Sequence, residues 1–303
     1  MGKIIERIKK GEILVSDGAW GTFLQSKGLK TGECPELWNI THPSDVNDIA
    51  ESYIDAGADM IETNSFGGNH FKLANYNLQD QAHELNKAAA EISRKASGDD
   101  HYVLGSMGPT GKMLLMEETT AKELYDAFKE QAMALEEGGV NAIVIETMTD
   151  LEEAMLAIKA VKENTSCEIF CTMTFDKIPN NEFRTIMGIS PAEMTNEFCS
   201  IGIDAIGANC GYGIRDMSSI VKQIRNTNSS VPIIIQANAG MPVYSNGKIV
   251  YTDSPDDMAN ATTELVAAGA NIIGGCCGTN PEHIKKIAGV IKEINAKSKA
   301  VWK

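Results

Sequence analysis

The chain has 303 residues, of which 27 are basic and 41 acidic, giving a formal net charge of −14. That balance excludes a protein that tracks nucleic acid or an anionic membrane, because both need a basic surface; 43% hydrophobic and 22% charged residues are ordinary for a globular chain. No apolar stretch approaches the roughly 20 residues of a membrane span, and the start MGKIIERIKKGEILV lacks the apolar core and cleavage site of a signal peptide, so a cytoplasmic protein is expected.

In chain order, eight short apolar runs recur, each ending in small or polar residues. Ile13-Leu14-Val15 precedes Ser16-Asp17-Gly18-Ala19, and Met60-Ile61 precedes Glu62-Thr63-Asn64. Tyr102-Val103-Leu104 leads into Gly105-Ser106, and Ala142-Ile143-Val144-Ile145 into Glu146-Thr147. Ile169-Phe170-Cys171 comes before Thr172, and Ile206 before Gly207-Ala208-Asn209-Cys210. Ile233-Ile234-Ile235 precedes Gln236-Ala237-Asn238, and Ile272-Ile273 precedes Gly274-Gly275-Cys276-Cys277.

Continuous apolar runs of this length are the habit of parallel strands covered on both faces by helices. Segments of helical period lie between them, such as 45–56 and 123–137. Glycines at Gly57, Gly138-Gly139, Gly202 and Gly269 stand between such segments and the next strand, where a left-handed C-cap turns the chain back. Eight such units, with no G-x-G-x-x-G after the first strand, predict an α/β fold: a single (β/α)8 barrel over residues 1–303 with its active site at the C-terminal ends of the strands. A doubly wound open sheet is the second choice. The barrel brings Asp17, Glu62, Asn64, Glu146, Asn209, Cys210, Asn238, Cys276 and Cys277 to one rim.

Seven cysteines are an odd number for a disulfide framework. Cys34, Cys167, Cys171 and Cys199 read as buried core residues. Cys210, after the sixth strand, can meet the adjacent pair Cys276-Cys277 after the eighth. Three thiols with an open fourth position suit zinc, and Gly274, Gly275 and Gly278 free the backbone to aim two neighbouring side chains at one ion. The residues alone leave open whether these three are a metal site or core. A wet, glycine-rich rim is nonetheless a poor place for core.

The motifs DGAWGT (17–22), PELWN (35–39), ETNSF (62–66), GSMGPT (105–110), Glu146-Thr147, GANC (207–210), QANAG (236–240) and GGCCGT (274–279) together resemble the homocysteine S-methyltransferase family. The likeness runs from about 13 to about 291. It is closest to the homocysteine-binding barrel of the cobalamin-dependent methionine synthases. The resemblance implies a (β/α)8 barrel, zinc held by Cys210, Cys276 and Cys277, and homocysteine sulfur in the fourth position. It implies further that Asp17 and Glu146 hold the substrate ammonium and that the backbone of Gly18 and Ala19 takes its carboxylate, with Asn209 beside the substrate. A metal-bound thiol is deprotonated outright, and three anionic sulfurs leave the incoming one electron-rich.

The donor is less constrained. Relatives that use betaine surround the quaternary ammonium with aromatic rings, whereas this chain has Gly67 and Thr147 at two of those places. The remaining donors are a sulfonium such as S-methylmethionine and a methylcorrinoid (methylcobalamin type). The D-x-H-x-x-G signature of corrinoid carriers is absent, so a corrinoid would arrive on a separate protein. Two alternatives use the same cysteines: a demethylase passing a substrate methyl group to a corrinoid protein, and a non-enzymatic barrel whose thiols respond to oxidation.

Overall fold

A computed structural model describes residues 3–245 and 248–301. Eight parallel strands run through them: β1 (Leu14–Val15), β2 (Met60–Glu62), β3 (Tyr102–Met107), β4 (Ala142–Met148), β5 (Glu168–Met173), β6 (Ala205–Gly213), β7 (Ile233–Asn238) and β8 (Ile272–Gly275). They lie in the order β1-β8-β7-β6-β5-β4-β3-β2. A parallel bridge between Ser16 and Met60 joins the two ends, so the sheet closes and leaves no free edge. Helices follow each strand on the outside, and the fold is the expected (β/α)8 barrel. Two antiparallel hairpins, Asp176–Ile178 with Glu182–Arg184 and Val243–Ser245 with Lys248–Val250, decorate the loops after β5 and β7. No helix among the described residues is long and apolar enough to cross a membrane.

The predicted turn glycines do more than reverse the chain. Gly57, Gly139, Gly202 and Gly269 all take positive φ, and each stands two residues before an Asp or Asn that opens an even-numbered strand. Asp59 accepts from Val15 N–H (2.9 Å), Asn141 from Val103 N–H (2.9 Å), Asp204 from Ile169 N–H (2.8 Å) and Asn271 from Ile233 N–H (3.0 Å). The backbone N–H of each returns a bond to the carbonyl of the same partner. A helix C-cap, a strand start and a strand register are thereby set by one Gly-x-Asp/Asn tripeptide, four times round the barrel. The Asp59–Val15 pair does this at the closing seam.

Inward positions follow the period of two along each strand. At the N-terminal end they are Leu14, Met60, Tyr102 with Leu104, Ala142 with Val144, Phe170, Ala205, Ile234 and Ile272, which form one buried cluster with Ile4, Ile5 and Ile8. Those last three belong to the short helix Ile4–Lys9, which plugs that end. Burial of such side chains contributes about 1.5–3 kcal/mol each.

Candidate active site

Two residues further along most of these strands, and four along β6, the inward positions become polar. Ser16, Glu62, Ser106, Glu146, Thr172, Asn209 and Gln236 are all buried. They bond to one another across the barrel. Gln236 Nε2 donates to Ser16 Oγ (3.1 Å) and Glu62 Oε1 (2.5 Å). Ser106 Oγ donates to Glu146 Oε1 (2.5 Å), and Asn209 Nδ2 to Glu146 Oε2 (3.2 Å). Thr172 Oγ1 donates to Asn209 Oδ1 (2.7 Å).

Above this layer lies a cavity of about 250 Å3, lined by Glu62, Glu146, Cys210, Cys276, Cys277, Gln236, the 18–22 turn and Phe66 among others. Among the described residues no Lys, Arg or His lines it. Its carboxylates are therefore out of balance. Burial raises Glu146 to about 7 and Asp17 to about 6. Glu62 is pushed well above the usual range by burial and then by repulsion from Glu146 and Asp17.

The sulfurs of Cys210, Cys276 and Cys277 lie within 4.8 Å of one another, with Cys210 Sγ and Cys277 Sγ 4.0 Å apart. Two irregularities aim the side chains here. The β4–β5 register shifts between Ile145 and Met148, where Thr147 has φ 60°, and the β6–β7 register shifts between Asn209 and Gly213, where Cys210 has φ 58°. Bulges re-aim side chains next to functional sites. Positive φ in a β-branched residue costs on the order of 1–3 kcal/mol. Asn209 offsets it by accepting from Thr147 N–H (2.8 Å) and donating to Thr147 Oγ1 (2.7 Å). The same amide nitrogen lies 4.0 Å from Cys276 Sγ. Asn209 thus ties a carboxylate, a strained turn and a sulfur together.

On the other side, Gly275 N–H donates to Asp17 O at 2.8 Å, an approach that only glycine at 274 permits. A Cβ there would stand 2.7 Å from the Asp17 carbonyl oxygen. The three thiols share their protons unevenly. Hydrogen bonds from Cys276 and Cys277 hold Cys210 down to about 3, while its negative sulfur raises the other two.

The cluster fits a soft divalent cation. Three thiols are within mutual reach, and Asn238 Oδ1, on the neighbouring strand end, is buried with no hydrogen-bond partner. The donor set, sulfur-rich and three-sided, suits zinc.

All nine residues expected on the rim end their strands there, but not all face the cavity. Glu62, Asn64, Glu146 and the three cysteines line it. Asp17 lies behind the wall, where its Oδ2 accepts from Trp20 Nε1 (2.8 Å) and Glu62 N–H (2.8 Å). Asn209 is also one layer back. Of the two expected carboxylate donors, Ala19 N–H is engaged by Thr279 Oγ1 (3.0 Å), while Gly18 borders the cavity. Cys34 and Cys171 are buried as expected, whereas Cys167 and Cys199 are only half-buried and pack against the outside of the core. Sequence reasoning gave no role to Gln236, Ser106, Glu36 or Tyr251. Glu36 lines the mouth and accepts from Gly67 N–H (2.7 Å). The Tyr251 ring packs on Gly278 beside Cys277, and burial with that sulfur's charge raises its hydroxyl.

The model of the family described as homocysteine S-methyltransferase matches residues 14–291. The chain belongs to the homocysteine S-methyltransferase family. Among curated relatives it is 31% identical over 301 residues to a methionine synthase of Mycobacterium leprae, covering 93% of this chain and 24% of the relative. A methionine synthase of Mycobacterium tuberculosis is 30% identical over 307 residues, covering 95% and 25%. The chain spans about a quarter of the length of these relatives. Among solved structures, the metallated form of the homocysteine methyltransferase MmuM from Escherichia coli superposes with a TM-score of 0.77 at 20% identity, covering 94% of this chain and 98% of that one. That likeness supports the barrel.

Proposed function

We propose that this member of the family transfers a methyl group to the sulfur of homocysteine, giving methionine, with zinc held by Cys210, Cys276 and Cys277. The observation that carries the reading is the pairing of two unmet demands in one small cavity. Three sulfurs are gathered within reach of one ion, and buried carboxylates face a space that no cation of the described residues lines. A thiol that also bears an ammonium meets both. Bound zinc would hold the substrate sulfur as a thiolate at neutral pH, ready for displacement at a methyl carbon.

The chain's own residues do the rest. Glu146 presents its carboxylate to the ammonium, fixed by Ser106 and Asn209, and Asp17 adds negative charge from behind the wall. Gly18 N–H is left to take the substrate carboxylate. Glu146 and the cluster are both held by Asn209, so the substrate's two ends are positioned by one framework, which is where the rate gain of an oriented reaction arises. The donor is a methylcorrinoid on a separate protein or a sulfonium such as S-methylmethionine. Among the described residues around the cavity only Trp20 and Phe66 are aromatic, which is too few for a cage round a quaternary ammonium.

The test offers homocysteine to the zinc-loaded protein with methylcobalamin, S-methylmethionine and betaine in parallel. Methionine is expected with one of the first two. Absence of methionine from every arm overturns the proposal.

A further inference from the structure

Glu62 is buried and lines the cavity beside Glu146, from β2, two strands away from β4. Its Oε1 is gripped by Gln236 Nε2 at 2.5 Å, and that nitrogen also bonds Ser16 Oγ. The orientation of the Gln236 amide is fixed by these two bonds, because the reverse would set its oxygen against the carboxylate. As a result Gln236 Oε1 is buried without a partner, at a residue that itself lines the cavity. A buried amide oxygen left unbonded costs about 1–3 kcal/mol, so the position calls for a donor from outside the chain. A primary ammonium has three N–H donors. At this level the cavity offers the unpartnered Gln236 amide oxygen and the carboxylates of Glu62 and Glu146, whose bonds within the chain come from neutral donors only and leave their charge unmatched.

We propose that Glu62, held by Gln236, is a second contact for the substrate's ammonium, and that the pair selects amino-acid thiols over thiols lacking the amine. This rests on the homocysteine reading and adds to it. Glu146 alone would attract a cation, whereas acceptors on β2, β4 and β7 fix where its three hydrogens point. Desolvation of two neighbouring carboxylates disfavours an uncharged guest, which leaves their repulsion in place. An amine-free thiol is thus rejected as well as unrewarded.

Calorimetry on the zinc-loaded protein should compare homocysteine with 4-mercaptobutanoate, which is the same molecule without the amine. The wild type is expected to prefer homocysteine. Glu62→Gln, close in shape, should shrink that preference roughly 10- to 100-fold, the range for a charged hydrogen bond, with zinc content held and affinity for 4-mercaptobutanoate unchanged or raised. Gln236→Leu should move the ratio in the same direction, and it serves if Glu62→Gln does not fold. A wild-type preference that survives both substitutions overturns the role of Glu62 while homocysteine stands as substrate. A wild type that binds neither thiol overturns the homocysteine reading and this inference with it.

Discussion

Leu14, Met60, Val144, Phe170, Ile234 and Ile272 fill one level of the barrel interior, and two residues further along the same strands stand Ser16, Glu62, Glu146, Thr172, Gln236 and Gly274. The strands, the pairing and the inward direction are the same, yet the chemistry is opposite. At the lower level these six side chains are all apolar and the N-terminal helix seals the end. At the upper level carboxylates are buried beside one another, an amide oxygen is unpartnered, and two non-glycine residues take positive φ. Burying charge without a counter-charge costs stability. The lower level has no such debt, so it is where the fold is secured. The upper level makes sense only with something added, which is the physical signature of a site.

The sharpest way to break this contrast is to remove one sulfur. Cys276→Ser should abolish zinc binding and reduce methyl transfer to background, while the melting temperature of the metal-free protein stays within a few degrees of the metal-free wild type. Elemental analysis and an unfolding curve read the two effects separately. Turnover by a zinc-free Cys276→Ser protein would falsify the assignment of the cluster. The converse substitution is Phe170→Ala, one level down. Deleting a fully buried aromatic ring leaves a cavity, and the expected loss is about 3–5 kcal/mol, measured by denaturant unfolding. Folded Phe170→Ala protein should still bind one zinc per chain. Loss of metal from folded molecules would show that the two levels are not separable.

Much of this was legible because barrel formation is written locally. Eight apolar runs and four Gly-x-Asp/Asn turns lie within a few residues of the structures they encode, and strand ends must share a rim, so Cys210 meets Cys276 and Cys277 although they stand 66 and 67 positions further along the chain. What was hidden depends on partners brought in by other strands. Nothing near Ala19 signals that Thr279 will occupy its N–H, and nothing near Asp17 signals that the Glu62 N–H will join Trp20 in enclosing its carboxylate. The bulges at Thr147 and Cys210 were unreadable for another reason. Non-glycine residues at positive φ carry no local signal, since it is Asn209, two strands away and 62 positions along the chain from Thr147, that makes the turn tolerable. Glu62 was placed on the rim but given no task, because its significance lies in Gln236, 174 residues away.

The smallest predicted effect tests whether a buried carboxylate is by itself evidence of function. Glu168 shares the inward column of Phe170 and Thr172 at the opposite end of β5, and it is as buried as Glu146. Its oxygens, however, are used by the chain: Oε2 accepts from Ile4 N–H (2.9 Å) and Oε1 from Ile5 N–H (3.2 Å), at the start of the plugging helix. A carboxylate on the first N–H groups of a helix is satisfied by bonds and by the local dipole. Glu168→Ala should therefore cost about 1–2 kcal/mol, the range for losing an N-terminal cap, read as a lower unfolding midpoint. Zinc content and the KM for homocysteine should not move, because the Glu168 carboxylate is taken up by the plugging helix at the end away from the cysteines. Glu146→Ala should do the reverse, raising KM with little change in the midpoint. If the two substitutions gave the same profile, buried charge at either end would be scaffold, and the polar level would lose its claim to be the site.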